Sequence, residues 1–217
     1  MKLGKIILTI LSLISPITGE SDCQKYEKLE INDVPSIRKS DLPSEFGDVA
    51  FEVVDEFIRK TIPLNYEILL FFDYITGEIL RCKIGTESSV ELQFKDGEFD
   101  GKHVASIHNH TKDMYTPPSD KNFGIFLRNW EDYELIAGID GLWILKGKVK
   151  DKKLCFELKF ISNLLFNMAL EDAVKTTENI KDRETICDEN YGILLSKYIN
   201  NKNLNEIQIT KRGYKND

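Results

Sequence analysis

Four cysteines, three histidines and no surplus of positive charge are what this 217-residue chain has little of, and each shortage excludes something. Cys23, Cys82, Cys155 and Cys187 stand far apart with no C-x-x-C pair, a spacing that fits neither a zinc ribbon nor a dense disulfide scaffold. Cys82 and Cys155 fall in expected strands and read as small core or semi-exposed residues. A reducing compartment is the simpler reading, with two disulfides as the alternative. Lys and Arg number 29 against 36 Asp and Glu, for a net charge of -7, which argues against a dedicated nucleic-acid binder. The lysines from Lys146 to Lys153 surround Asp151 and read as a solvated hairpin edge rather than a phosphate-binding patch. No internal repeat is visible, and no apolar run is long enough for a comfortable transmembrane helix.

What is present is an ordinary globular composition, 41% hydrophobic and 30% charged. The N-terminus admits two readings. Lys2 and Lys5, the apolar run Ile6 to Ile14 and a small residue at Gly19 are the parts of a secretory signal cut after Gly19. Lys2, Lys5, Thr9 and Ser12 also recur at helical spacing, which suits an amphipathic helix using residues 5–15 against a membrane surface or a partner. The expectation is the uncleaved helix in a cytoplasmic protein, with a secreted or membrane-associated protein as the alternative.

Residues 20–45, punctuated by Pro35 and Pro43, read as a linker or extended arm. A helix capped by Ser44 follows, with Phe46, Val49, Ala50, Val53, Val54, Phe57 and Ile58 at core-facing spacing and Pro63 as its stop. Residues 67–73 form a nearly continuous apolar run, as expected of a strand buried on both faces. Thr76-Gly77 turns it into a hairpin partner, Ile79 to Ile84, and Val90 to Phe94 alternates as a half-buried strand. The turn Asp96 to Gly101 leads to a strand that ends in His108. A loop with Pro117-Pro118 and a helix capped by Ser119 come next, with Phe123, Phe126, Leu127 and Trp130 as its apolar face. Tyr133 to Ala137 and Leu142 to Leu145 are strands joined around Asp140-Gly141. Leu154, Phe156, Leu158 and Phe160 alternate as one more strand. Residues 161–200 look helical, with Ile161, Leu164, Leu165 and Met168 as one stripe and Ile193, Leu194 and Ile199 as another. The tail is polar and frayed apart from Ile207-Gln208-Ile209. The sum is three segments: an arm over 1–45, an α/β domain over 46–160 and a helical extension over 161–217.

The chemistry gathers at His108-Asn109-His110. A strand ending in His-x-His throws both imidazoles out of one face, because side chains alternate with period two. Two imidazoles are half of a tetrahedral zinc site, and a catalytic site needs one more protein ligand. His103, upstream in the turn, reads as a surface residue.

Glu67 on an early strand, His108-Asn109-His110 and then Pro118-Ser119 resemble the pattern of the JAMM/MPN (JAB-type) zinc metalloproteases and their RadC-like relatives: a glutamate, H-x-H, then S-x-x-D. The strand pair Tyr133 to Leu145 resembles the one that closes such domains, and the similarity spans a third to half of the chain. It implies a JAMM/MPN-like, cytidine-deaminase-like mixed sheet flanked by helices. It also implies bound Zn2+, Glu67 as general base and Ser119 as an oxyanion donor. The implied activity is isopeptide or peptide hydrolysis on ubiquitin-like conjugates. Two departures from the pattern matter. The loop Thr111 to Pro118 is one residue longer than usual, and Asn122 stands where the family has its aspartate ligand. Asn122 could offer only an uncharged carbonyl oxygen; Asp120, two residues earlier, is the rival third ligand, with Asp113 behind both. A metal-poor MPN-like scaffold is the alternative function, favoured by Asn122. A RadC-like role on DNA is disfavoured by the acidic charge.

Overall fold

The computed structural model describes residues 21–34, 36–87, 89–90, 97–111, 131–139, 141–147, 152–202 and 207–214. Its strands are β1 (Ile68–Asp73), β2 (Ile79–Ile84), β3 (Val104–Asn109), β4 (Tyr133–Gly138), β5 (Gly141–Gly147) and β6 (Ile207–Arg212). They form one mixed sheet in the order β2-β1-β3-β4-β5-β6. Among these strands only β3 and β4 pair in parallel. A parallel pair requires a long crossover, and here it runs through residues 112–130, outside the described residues. The expected strand at Val90 to Phe94 also falls outside them beyond Val90.

One face of the sheet is covered from the N-terminal side. Helix α2 (Asp48–Thr61) buries Ala50, Val54, Phe57 and Ile58 against Ile68, Leu70, Phe72, Ala105, Ile107 and Leu135. Its cap is Gly47, not the expected Ser44. Phe46 first turns into the core and stacks on Tyr74 at 5.3 Å, which delays the helix start. A Cβ on Gly47 would sit 2.1 Å from the Ile75 carbonyl oxygen, so only glycine lets the chain pass there. Val49, expected in the core, is exposed because at 100° per residue it falls outside the stripe formed by Ala50, Val54, Phe57 and Ile58.

The arm contains a six-residue helix, α1 (Asp22–Glu27), where a linker was expected. Ser21 and Gln24 form a reciprocal capping box, a signal too short to show periodicity. Tyr26 is buried, and Lys60 of α2 lies 4.8 Å above its ring while donating to the Tyr26 and Glu27 carbonyls. That cation caps the end of α1 and fastens it to α2.

The other face is covered over β4 and β5 by α3 (Lys152–Thr176) and α4 (Ile180–Asn201). Residues 154–160, including Cys155, are therefore helical, not a strand. The alternation of Leu154, Phe156, Leu158 and Phe160 hides two rows spaced by four residues, and a helix separates them onto different faces. Leu158, Ser162, Ala169 and Ala173 point inward, while Phe156 and Phe160 are exposed. Leu164 and Met168, expected to face the core, are exposed too, as is Ile193 of α4. The inward row of α4 is Cys187, Tyr191, Leu195 and Ile199, and Tyr191 meets the Ser162 hydroxyl at 2.5 Å. Helix α3 runs through residue 160, where the α/β domain was expected to end.

The segment Ile207-Gln208-Ile209, the expected exception to a frayed tail, opens a full strand, β6, that pairs antiparallel with β5. Its second half, Thr210, Lys211 and Arg212, carries no strand signal because an edge strand tolerates polar residues. Lys146 ends inside β5 and Lys152 and Lys153 open α3, so these lysines do not line one hairpin edge; residues 148–151 lie outside the described set.

Gly192 marks the closest approach of α4 to the sheet: a Cβ there would lie 2.2 Å from the Trp143 ring. Gly192→Ala should therefore destabilise the protein by about 1–3 kcal/mol in urea unfolding, despite a helix-propensity gain of about 1 kcal/mol. Unchanged stability would mean that Trp143 moves freely.

Candidate metal centre

Strand β3 sorts its side chains by alternation. Ala105, Ile107 and Asn109 face α2, and Ser106 and His108 face the opposite side. His110 follows the strand with the same parity and extends the ladder, its N–H donating to the Ala137 carbonyl at 2.8 Å. The two imidazoles thus leave one face, as expected. Both are buried, with ring centroids 5.3 Å apart and planes tilted by 44°. Two imidazoles bound at about 2.0–2.1 Å to one tetrahedral zinc have centroids roughly 5 Å apart, so the spacing suits a shared ion. Burial, with the neighbouring His110 ring, holds His108 well below the usual imidazole pKa, which keeps it a neutral lone-pair donor.

Glu67 arrives from the neighbouring strand. Leu69 of β1 stands opposite His108, and Glu67, two residues earlier, keeps that face. Its backbone is fixed on both sides: its N–H donates to the Thr86 carbonyl and its carbonyl accepts from Gly85, each at 2.8 Å. The residue is buried, 8% exposed. Burial pushes its pKa up to about 7, against the opposing effect of a hydrogen bond from the Val90 N–H.

The structure therefore gathers Glu67, His108 and His110 on one face of adjacent strands. Ser119, Asp120, Asn122 and Asp113 lie outside the described residues. Among the described residues no three His, Cys, Asp or Glu side chains are grouped to hold an ion by themselves, so an ion at this pair of histidines would need a protein ligand from outside them. Glu52 and Glu56 sit on α2, across the sheet, and Glu78 pairs with Lys102 at 2.5 Å. His103 is exposed, as expected, with its ring against Tyr74.

Two residues of the centre escaped the sequence reading. Asn109, the residue between the histidines, is fully buried on the α2 side. Its Oδ1 accepts from the Ile68 N–H at 2.7 Å, and its Nδ2 donates to the Thr61 and Tyr66 carbonyls at 3.3 and 3.1 Å. One amide thereby joins the end of α2, the entry to β1 and the histidine strand. A polar residue at an inward position of a buried strand is a visible signal, because such a group must find partners.

The other is Glu134 of β4, beside Ser106 in the parallel register. Its Oε1 lies 3.6 Å from His108 Nδ1. Burial, then the nearby Glu131, pushes its carboxyl pKa well above the usual range. Both shifts favour the uncharged forms, so burial works against an ion pair at this contact.

Comparison with known protein families, with curated proteins and with solved structures finds no match for this chain. Among the described residues no helix is long and apolar enough to cross a membrane.

Proposed function

We propose that the chain is a zinc-dependent metallohydrolase of the JAMM/MPN type, cleaving isopeptide or peptide bonds of ubiquitin-like conjugates. The observation that carries the reading is the shared face of Glu67, His108 and His110 on paired strands β1 and β3. The mixed sheet with helices on both sides supports a JAMM/MPN-like, cytidine-deaminase-like fold. His108 and His110 would hold the ion, with Asp120 or Asn122 as the third protein ligand. A bound zinc supplies Lewis acidity, acidifying water to a pKa of about 7 and polarising a carbonyl.

The chain's own residues supply the rest. Glu67, with a pKa near 7, is matched to taking a proton from water and returning it to the departing amine at neutral pH. The Ser119 hydroxyl donates to the oxygen on which charge develops. Asn122 in the aspartate position favours a second reading, a scaffold that keeps the fold without catalysis.

Zinc content separates the two. Protein prepared without chelator should carry about one zinc per chain, lose it in His108→Ala and bind it more tightly in Asn122→Asp. Hydrolysis of a ubiquitin-like isopeptide conjugate should follow the zinc content. Zinc-free protein under zinc-replete conditions sinks the catalytic reading.

A further inference from the structure

Glu134 is costly where it stands. It is 4% exposed, and Oε2 has no hydrogen-bond partner among the described residues. A buried carboxyl normally satisfies both oxygens, so one left over calls for an explanation. Its other oxygen faces a single defined atom, His108 Nδ1, at 3.6 Å. The backbone makes this approach obligatory. In the parallel register Ser106 pairs with Glu134 and His108 with Ile136, so Glu134 and His108 project from adjacent strands onto the same face.

We infer that Glu134 is a positioning residue: its Oε1 accepts the Nδ1–H of His108 and so sets the tautomer in which Nε2 carries the lone pair that would face zinc. A carboxyl oxygen accepts such a bond in either protonation state, and the apo separation closes by a few tenths of an ångström when the ring is drawn tight. An acid behind a metal-binding imidazole sets its tautomer and orientation and raises its donor strength. Here the acid comes from β4, a strand that contributes no ligand, so three neighbouring strands build the centre: Glu67 beside β1, the histidines from β3 and their support from β4. The centre also gains an acidic group at a place unconnected with the Asn122 departure.

The inference rests on the zinc reading above, and its test separates the two. Zinc affinity of the full chain is measured by competition with a chelator of known affinity, for wild type, Glu134→Ala and Glu134→Gln. The His108 tautomer is read from 15N chemical shifts of the zinc-free protein. Glu134→Ala should weaken zinc binding about 10–100-fold, and Glu134→Gln, whose amide oxygen can still accept, should recover most of that loss. Wild-type His108 should carry its proton on Nδ1, and Glu134→Ala should lose that preference. A merely structural role for Glu134 would leave the tautomer untouched. Wild type that binds zinc while a folded Glu134→Ala matches its affinity overturns this inference alone. Wild type that takes up no zinc overturns the metal reading and this role with it. Should Glu134→Ala fail to fold, the wild-type tautomer still decides, because a proton on Nε2 excludes the role.

Discussion

Glu67→Gln should make the zinc-free protein more stable at pH 8 and should stop the hydrolysis proposed for the zinc-loaded protein. The Glu67 carboxyl has a pKa of about 7 in the folded chain against 4.5 when free, because burial disfavours its charged form. Between those values the folded state holds a proton that the unfolded chain has released. The contribution of Glu67 to stability is therefore fully present below about pH 4.5 and is lost as pH rises through 7, where it has cost on the order of 2–3 kcal/mol. Glutamine is neutral throughout and can still accept the Val90 N–H, so it removes that slope. Urea unfolding between pH 4.5 and 8 should show wild type losing stability against the variant, with the two parallel above pH 8. Identical pH profiles would mean that Glu67 is solvated. Glutamine cannot carry a proton, so turnover should fall about 10²–10⁴-fold with zinc content unchanged. A buried acid that weakens its own fold yet serves the proposed reaction would be the familiar compromise between stability and activity.

The second large effect belongs to Asn109. Asn109→Ala should cost roughly 3–5 kcal/mol, since it strands the buried Ile68 N–H and takes the donor from the Thr61 and Tyr66 carbonyls together. Asn109→Asp should be nearly as damaging. Its second oxygen would face those two carbonyl oxygens, whereas asparagine offers one acceptor and two donors at the same length. Both variants should also bind zinc less tightly, because the amide holds the strand between the two imidazoles. Wild-type stability in Asn109→Asp would show that the bracket carries no weight.

How far the sequence reveals this protein depends on which physical signal each part carries. β1 is an uninterrupted apolar run, β4 and β5 flank a turn dipeptide, and α2 carries a clear helical stripe, so each declares itself locally. The first turns of α3 do not, because residues 154–160 satisfy a period of two and a period near four at once, and only the burial of Leu158 in the cluster with Tyr191 of α4 chooses. α1 is too short to register, and β6 shows only its first half, Ile207-Gln208-Ile209, before polar residues hide the rest. At the centre, the histidine pair follows from alternation, and Glu67 follows from a family resemblance. Nothing local links Glu67 to residues some forty positions away; the β1–β3 register does that. Glu134 sits in a segment legible as a strand, yet its meeting with His108 depends on β4 lying parallel beside β3, which no local pattern encodes.

The late pairing of β6 with β5 has a consequence for how the chain is made. Leu142, Trp143, Ile144 and Leu145 are buried in the finished sheet, and both long helices must be synthesised before β6 can reach them. At about 5–20 residues per second, β5 spends several seconds as an open, apolar sheet edge. An edge of that kind invites pairing with another chain. The nascent protein is therefore most exposed to aggregation, and most in need of a chaperone, in the interval between β5 and β6.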